Sequence, residues 1–185
     1  MAEKLPQDRN ILAEMLEAYF GEDGFDDSAM ETARRVLAYW ESFVPGPIDF
    51  IPTTFPSDNF GMVVVKDIEF ASLCSHHLLP FYGVAHVAYL PHGKEIGLSK
   101  IPRIVEHFSH RPQVQERMTK QISGWIQQVL LPKGSMVVLE ATHTCMSCRG
   151  ILARNASMIT SCPKGVFFSQ PACRDEFFAL IGGRK

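Results

Sequence analysis

An α+β fold, with an antiparallel sheet carrying a helix pair on one face and a helical appendage at the N-terminus, follows from three features of this chain of 185 residues. Segments rich in β-branched residues alternate with pairs of amphipathic helical segments. A proline-rich stretch divides a purely helical beginning from the mixed remainder. Hydrophobic residues make up 46% of the sequence, enough to bury a sizeable core.

The elements follow in order. Residues 8 to 20 place Ile11, Leu12, Met15, Leu16, Tyr19 and Phe20 on one helical face. The stretch FGEDGFDD breaks that pattern, and Ser28 with Glu31 matches a capping box for a second helix running to about Phe43. From Val44 to Asn59 the prolines Pro45, Pro47, Pro52 and Pro56 mark a connector. The expected organisation is therefore a helical segment and connector over 1–59 and a main domain over 60–185. That domain opens with the strand MVVVKDIEFASL, followed by a second strand, VAHVAYLP. GLSK leads into a helix over 101–110. After the break at Arg111-Pro112, a longer helix runs from Gln113 to Leu131 with the apolar stripe Val114, Met118, Ile122, Trp125 and Val129. MVVLEATHTCMSCRGIL (136–152) reads as a strand, 156–168 as a short extended segment, and 171–181 as the last helix. The aromatic residues Phe167, Phe168, Phe177 and Phe178 read as core and subunit contact.

Composition narrows the function. A net charge of −2 leaves no basic footprint for nucleic acid, so anion binding must be local. No apolar run reaches the roughly 20 residues that span a bilayer, and MAEKLPQDRN lacks the apolar segment of a signal peptide. A cytoplasmic protein is expected, whose five cysteines are ligands or core thiols and not disulfides.

The densest chemistry lies in CSHHLLPFYG (74–83), where Cys74, His76 and His77 fall within four positions. Zinc favours thiolate and imidazole, and the Cys-x2-His spacing lets one turn present Cys74 and His77 to a single ion. His76, one residue off, would project elsewhere and stay free. A third donor must come from HTC (143–145). If that segment is a strand, His143, Cys145, Ser147 and Arg149 share a face and Cys148 points away, which favours Cys145. Three protein ligands leave an open, catalytic position, whereas Cys148 as a fourth would close a structural site. Both arrangements, and a chain without metal, remain open on spacing alone.

CSHHLLPFYG, GLSKIPRIVEHFSHRPQVQERMTKQI and EATHTCMSCRG resemble, in order and spacing, three signature blocks of type I GTP cyclohydrolase. The resemblance runs from about Met62 to Ile181. It implies the tunnelling fold and hydrolysis of GTP to 7,8-dihydroneopterin triphosphate and formate. It also implies a toroidal homodecamer with active sites between subunits. Cys74, His77 and Cys145 would be the zinc ligands, and His76 and His143 the free imidazoles. A histidine suits protonation of purine N7 because its pKa lies near neutrality, and His143 would assist proton transfer. Glu116 would accept from guanine N1–H and the 2-amino group, with Gln115 beside it. Lys100, Arg103 and Arg149 would hold the triphosphate, Lys100 and Arg103 from a helix start where N–H groups also favour anions. Lys66 and Arg35 are weaker candidates for the same work. Ser99 would act in the later ribose rearrangement, with helix capping as its competing role.

Several positions depart from the family pattern. Ser75 stands where a glutamate is usual between the zinc cysteine and the first histidine, Cys148 replaces a non-ligand residue, and Cys162-Pro163 interrupts a Ser/Thr-rich run. Two other functions are therefore weighed beside the leading one. They are a different tunnelling-fold enzyme acting on a purine or pterin, and a non-catalytic nucleotide-binding protein with structural zinc.

Overall fold

The computed structural model describes residues 7–44, 46–48 and 52–182. The chain forms two compact units, residues 1–44 and 45–185. In the first, α1 (Gln7–Phe20) and α2 (Ala29–Glu41) pack through Ala13, Ala29 and Ala33, with Leu12, Leu16 and Phe25 around them. Small residues at the contact let the two helices approach closely. Only two of the six residues in the stripe expected on α1 are drawn in: Leu12 and Leu16 are half-buried, whereas Ile11, Met15, Tyr19 and Phe20 are exposed. Ser28 caps α2 as expected, its Oγ accepting from the Glu31 N–H at 3.1 Å. The reciprocal half of the capping box is missing, because the Glu31 carboxylate pairs with Arg34 and the Ser28 N–H donates to Asp27 Oδ1. Arg35 pairs with Asp27 and holds that carboxyl down at about 2.

The second unit is built on a five-stranded sheet whose strands lie side by side in the order Pro112–Gln113, Val63–Cys74, Pro80–Leu90, Gly134–His143 and Met158–Gly165. Strand β1 (Thr54–Pro56), from within the proline-rich connector, instead pairs with β4 (Lys94–Ile96) as a separate ribbon, β2 (Val63–Cys74) and β3 (Pro80–Leu90) lying between them in the chain. Helices α3 (Lys100–Ser109) and α4 (Gln115–Leu130) flank β5, the short Pro112–Gln113 bridge at the expected helix break. Strand β6 (Gly134–His143) and the helical turn α5 (Thr144–Ser147) come next. They are followed by β7 (Met158–Gly165), α6 (Val166–Ser169) and α7 (Pro171–Ile181). The antiparallel sheet and mixed class are those expected.

Side chains alternate across the sheet with the period of two. Phe81, Ala85, Val87 and Tyr89 of β3, with Val137, Leu139 and Ala141 of β6, pack under Ile104 and Val105 of α3 and Met118, Ile122 and Ile126 of α4. The intervening Ala88, Met136 and Val138 meet Phe167 and Phe177, so α6 and α7 cover part of the opposite face. Phe168 and Phe178 remain exposed. A bulge at Lys66–Asp67, with Asp67 at φ 57°, slips the β2–β3 register. Gly83 of β3 lies directly against β6; a Cβ there would lie 1.9 Å from the Glu140 carbonyl oxygen.

One expected element is corrected. The strand read over 136–152 ends at His143, whose partner Phe81 lies next to the first residue of β3, so the pairing strand runs out. Thr144 then donates its hydroxyl to the Pro80 carbonyl at 2.6 Å and the chain turns into α5.

Candidate metal centre and active site

Cys74 is the last residue of β2, and its N–H donates to Leu79 O at 2.8 Å. Its own carbonyl accepts from His77 at 3.3 Å and Leu78 at 2.8 Å, which closes a tight turn over the CSHH stretch. Leu78 takes the left-handed conformation, φ 53°, that lets the chain re-enter the sheet at β3. The turn is tied from outside: Cys74 pairs with Gln113 in the parallel β5 bridge, and the Ser75 N–H donates to Gln113 O at 2.9 Å. The Gln113 side chain is buried, its amide nitrogen donating to Phe108 O and Gln121 Oε1, its oxygen accepting from Arg117 Nε. Sequence reasoning passed over Gln113, whose role is visible only once β5 brings it to Cys74.

Cys74 Sγ lies 3.5 Å from His77 Nδ1. Cys145 completes a group in which the ligand atoms of Cys74, His77 and Cys145 all lie within 4.8 Å of one another. It is the only group of this kind among the described residues. Tetrahedral zinc with bonds of about 2.3 Å to sulfur and 2.05 Å to nitrogen would separate those donors by about 3.5 Å, so the cradle fits. Burial and the neighbouring Cys74 thiol push the Cys145 thiol up from its ordinary pKa, Arg149 acting against them. A cation placed among the donors is what would favour thiolates here.

Cys145 was favoured on a strand argument that does not hold, since it lies in α5 and a helical turn brings it to the other donors. Cys148 stays outside the group; it is exposed, and its thiol donates to Thr144 O at 2.8 Å. The fourth-ligand arrangement is therefore not assembled here.

His76 is exposed beside the group, its Nδ1 3.9 Å from Cys74 Sγ and its ring edge-on to His77 at 6.2 Å. His143 is half-buried and lies flat on the fully buried Phe81, ring centroids 4.5 Å apart and planes 3° apart. Burial lowers its pKa, and the Glu116 carboxylate acts in the opposite sense. Its Nε2 is 2.8 Å from Gln115 Oε1. Gln115, expected beside Glu116 on the base, is instead 1% exposed. Its amide nitrogen lies 3.1 Å from Leu139 O, 2.9 Å from Met158 O and 3.1 Å from Thr160 Oγ1. Glu116, the next residue, is exposed in the first turn of α4.

Arg149 is exposed and close enough to act on the Cys145 thiol. Ser99, Lys100 and Arg103 lie at the start of α3, whose far end is pinned to β2 by the Ser72 hydroxyl on Ser109 O at 2.7 Å. Ten helical residues separate the two ends, about 15 Å. The three residues thus lie towards one end of α3, and Ser109, beside β2, lies at the other. Ser99 is exposed and its side chain makes no capping bond to α3, so its competing role is not filled. Lys66 donates to Leu180 O, and Arg35 is engaged by Asp27.

No helix among the described residues is long and apolar enough to cross a membrane. The family described as GTP cyclohydrolase I matches residues 9–182. A protein named GTP cyclohydrolase 1 from Carboxydothermus hydrogenoformans is 44% identical over 177 residues, covering 93% of this chain and 92% of its own. Its namesake from Methylococcus capsulatus is 47% identical over 167 residues, 88% of this chain and 90% of the relative. The chain belongs to the GTP cyclohydrolase I family.

Proposed function

We propose that this member of the family hydrolyses GTP to 7,8-dihydroneopterin triphosphate and formate with zinc as its cofactor, in the cytoplasm, feeding pterin and folate or deazapurine synthesis. The observation that carries the reading is the Cys74–His77–Cys145 group with a second, exposed imidazole, His76, at its edge. Those three side chains would hold the ion, and zinc with three protein ligands supplies Lewis acidity that activates water.

The remaining work falls to side chains. Glu116 accepts from N1–H and the 2-amino group of guanine, which orients C8 and N7. His76 delivers a proton to N7, making C8 electrophilic. His143, held by Gln115 and Phe81, moves a second proton as the ring opens and formate leaves. Arg149, with Lys100 and Arg103, neutralises the triphosphate, and Ser99 serves the later ribose rearrangement. The phosphate candidates Ser99, Lys100 and Arg103 lie on α3, a different element from the metal turn and from Glu116 on α4, and that scatter supports a site shared between copies in a homo-oligomer, a decamer by family resemblance.

Purified protein incubated with GTP and zinc is expected to release formate and, after oxidation, the fluorescence of neopterin. Zinc-loaded protein that leaves GTP intact would overturn the reading. Release of formate without the pterin product would instead place the chain among enzymes that open the purine and stop.

A further inference from the structure

The Gln115–His143 contact has a direction, and neighbouring groups fix it. The Gln115 amide nitrogen faces two backbone carbonyls, Leu139 O and Met158 O, at 3.1 and 2.9 Å. Rotating the amide by 180° would press its oxygen against both carbonyls with no proton between them. A third neighbour agrees. Thr119 donates its hydroxyl to the Gln115 main-chain carbonyl at 2.8 Å, so in the 2.7 Å contact between Thr119 and Thr160 the donor is Thr160. Thr160 Oγ1 is then an acceptor for the Gln115 amide at 3.1 Å. Every partner makes the Gln115 nitrogen the donor and leaves its oxygen to accept.

Oε1 sits 2.8 Å from His143 Nε2, so that nitrogen must carry the proton. A neutral imidazole has one N–H, and the lone pair therefore resides on Nδ1. Nδ1 has no hydrogen-bond partner among the described residues. The Phe81 ring beneath, parallel at 4.5 Å, resists tilting of the imidazole out of this geometry.

We infer that Gln115 is a positioning residue: it locks His143 in the Nε2–H tautomer, so that Nδ1 is the only ring nitrogen able to exchange a proton with substrate. In that exchange Nδ1 takes a proton from a water or hydroxyl oxygen and becomes N–H. The oxygen keeps the electron pair, and the Nε2–H bond to Gln115 is unchanged. The reverse transfer returns the same proton. Gln115 itself does not touch the base.

The test has two arms, and the first does not depend on the reaction. Two-bond proton–nitrogen NMR of zinc-loaded protein with 15N-labelled histidine, assigned against His143→Asn, reads the tautomer of neutral His143 directly. A protonated Nε2 with bare Nδ1 is expected; a protonated Nδ1 overturns the inference even if GTP is turned over normally. In the second arm Gln115→Met removes the acceptor while keeping length. The expected result is a mixed tautomer and kcat lower by about tenfold or more, with KM for GTP and zinc content held within about twofold. An unchanged tautomer, or a raised KM at constant kcat, would show that Gln115 is merely structural or binds the base. Should Gln115→Met fail to fold, the first arm still decides.

Discussion

The two halves of this site are held in opposite ways. The metal half is a surface turn: Cys74 is buried, but His76 and His77 are exposed, and the turn is shaped by backbone bonds and one left-handed leucine. The imidazole half is an interior network in which His143, Gln115, Thr119 and Thr160 satisfy one another over sequence separations of up to 45 residues. A ligand turn can stay simple because the ion, once bound, fixes its donors. A lone imidazole has no such clamp, so its orientation must be built from buried side chains that pair its Nε2 and one another.

The contrast can be broken experimentally, and the largest effect belongs to the metal half. Cys145→Ser removes one of three donors, and zinc content together with formate release should collapse, activity by about a thousandfold or more. If Cys148→Ser loses zinc instead, the three-donor account is wrong. His76→Ala should lower kcat by about a hundredfold to ten-thousandfold with zinc retained, which separates the residue that reacts from those that hold. Glu116→Gln keeps the fold but trades a double acceptor for a mixed group. Its cost should fall on guanine recognition, about tenfold or more in kcat/KM for GTP with zinc content unchanged. Thr160→Val probes the interior half: loss of one buried hydroxyl should cost about 1 kcal/mol of stability, read as a lowered denaturation midpoint, with zinc untouched. Ser28→Ala, in the α1–α2 unit, costs a similar 1 kcal/mol or so of helix stability and should leave formate release unaltered. Thr160→Val without loss of stability would mean that the interior half is held by fewer bonds than the geometry implies.

The same contrast decides what could be read from the sequence. Cys74 and His77 were legible because a turn makes spacing equivalent to geometry, and α7 was found at its full length, 171–181, because Pro171 and its flanks mark it. Cys145 was reached through a false intermediate, a strand where α5 stands, since nothing local reveals that β3 begins at Pro80 and leaves β6 without a partner. The β1–β4 ribbon was hidden by prolines, which here occupy a short edge. Gln115 was expected at the substrate because a motif shows which positions matter but not which way a side chain faces. Its acceptors, Leu139 and Met158, lie 24 and 43 residues away. One signal was available: Gln115 lies three residues before Met118, which on a helix sets it beside the apolar stripe.

Gln113 anchors the metal turn, Gln115 anchors the imidazole, and only Val114 stands between them, extended at φ −111° and ψ 130°. Two residues of extended chain span about 6.5 to 7 Å, a length written in covalent bonds. The protein thus carries a built-in ruler. Softer contacts elsewhere can stretch, but that dipeptide cannot lengthen, and inserting or deleting one residue there would throw the two reacting sides out of gauge while leaving each intact.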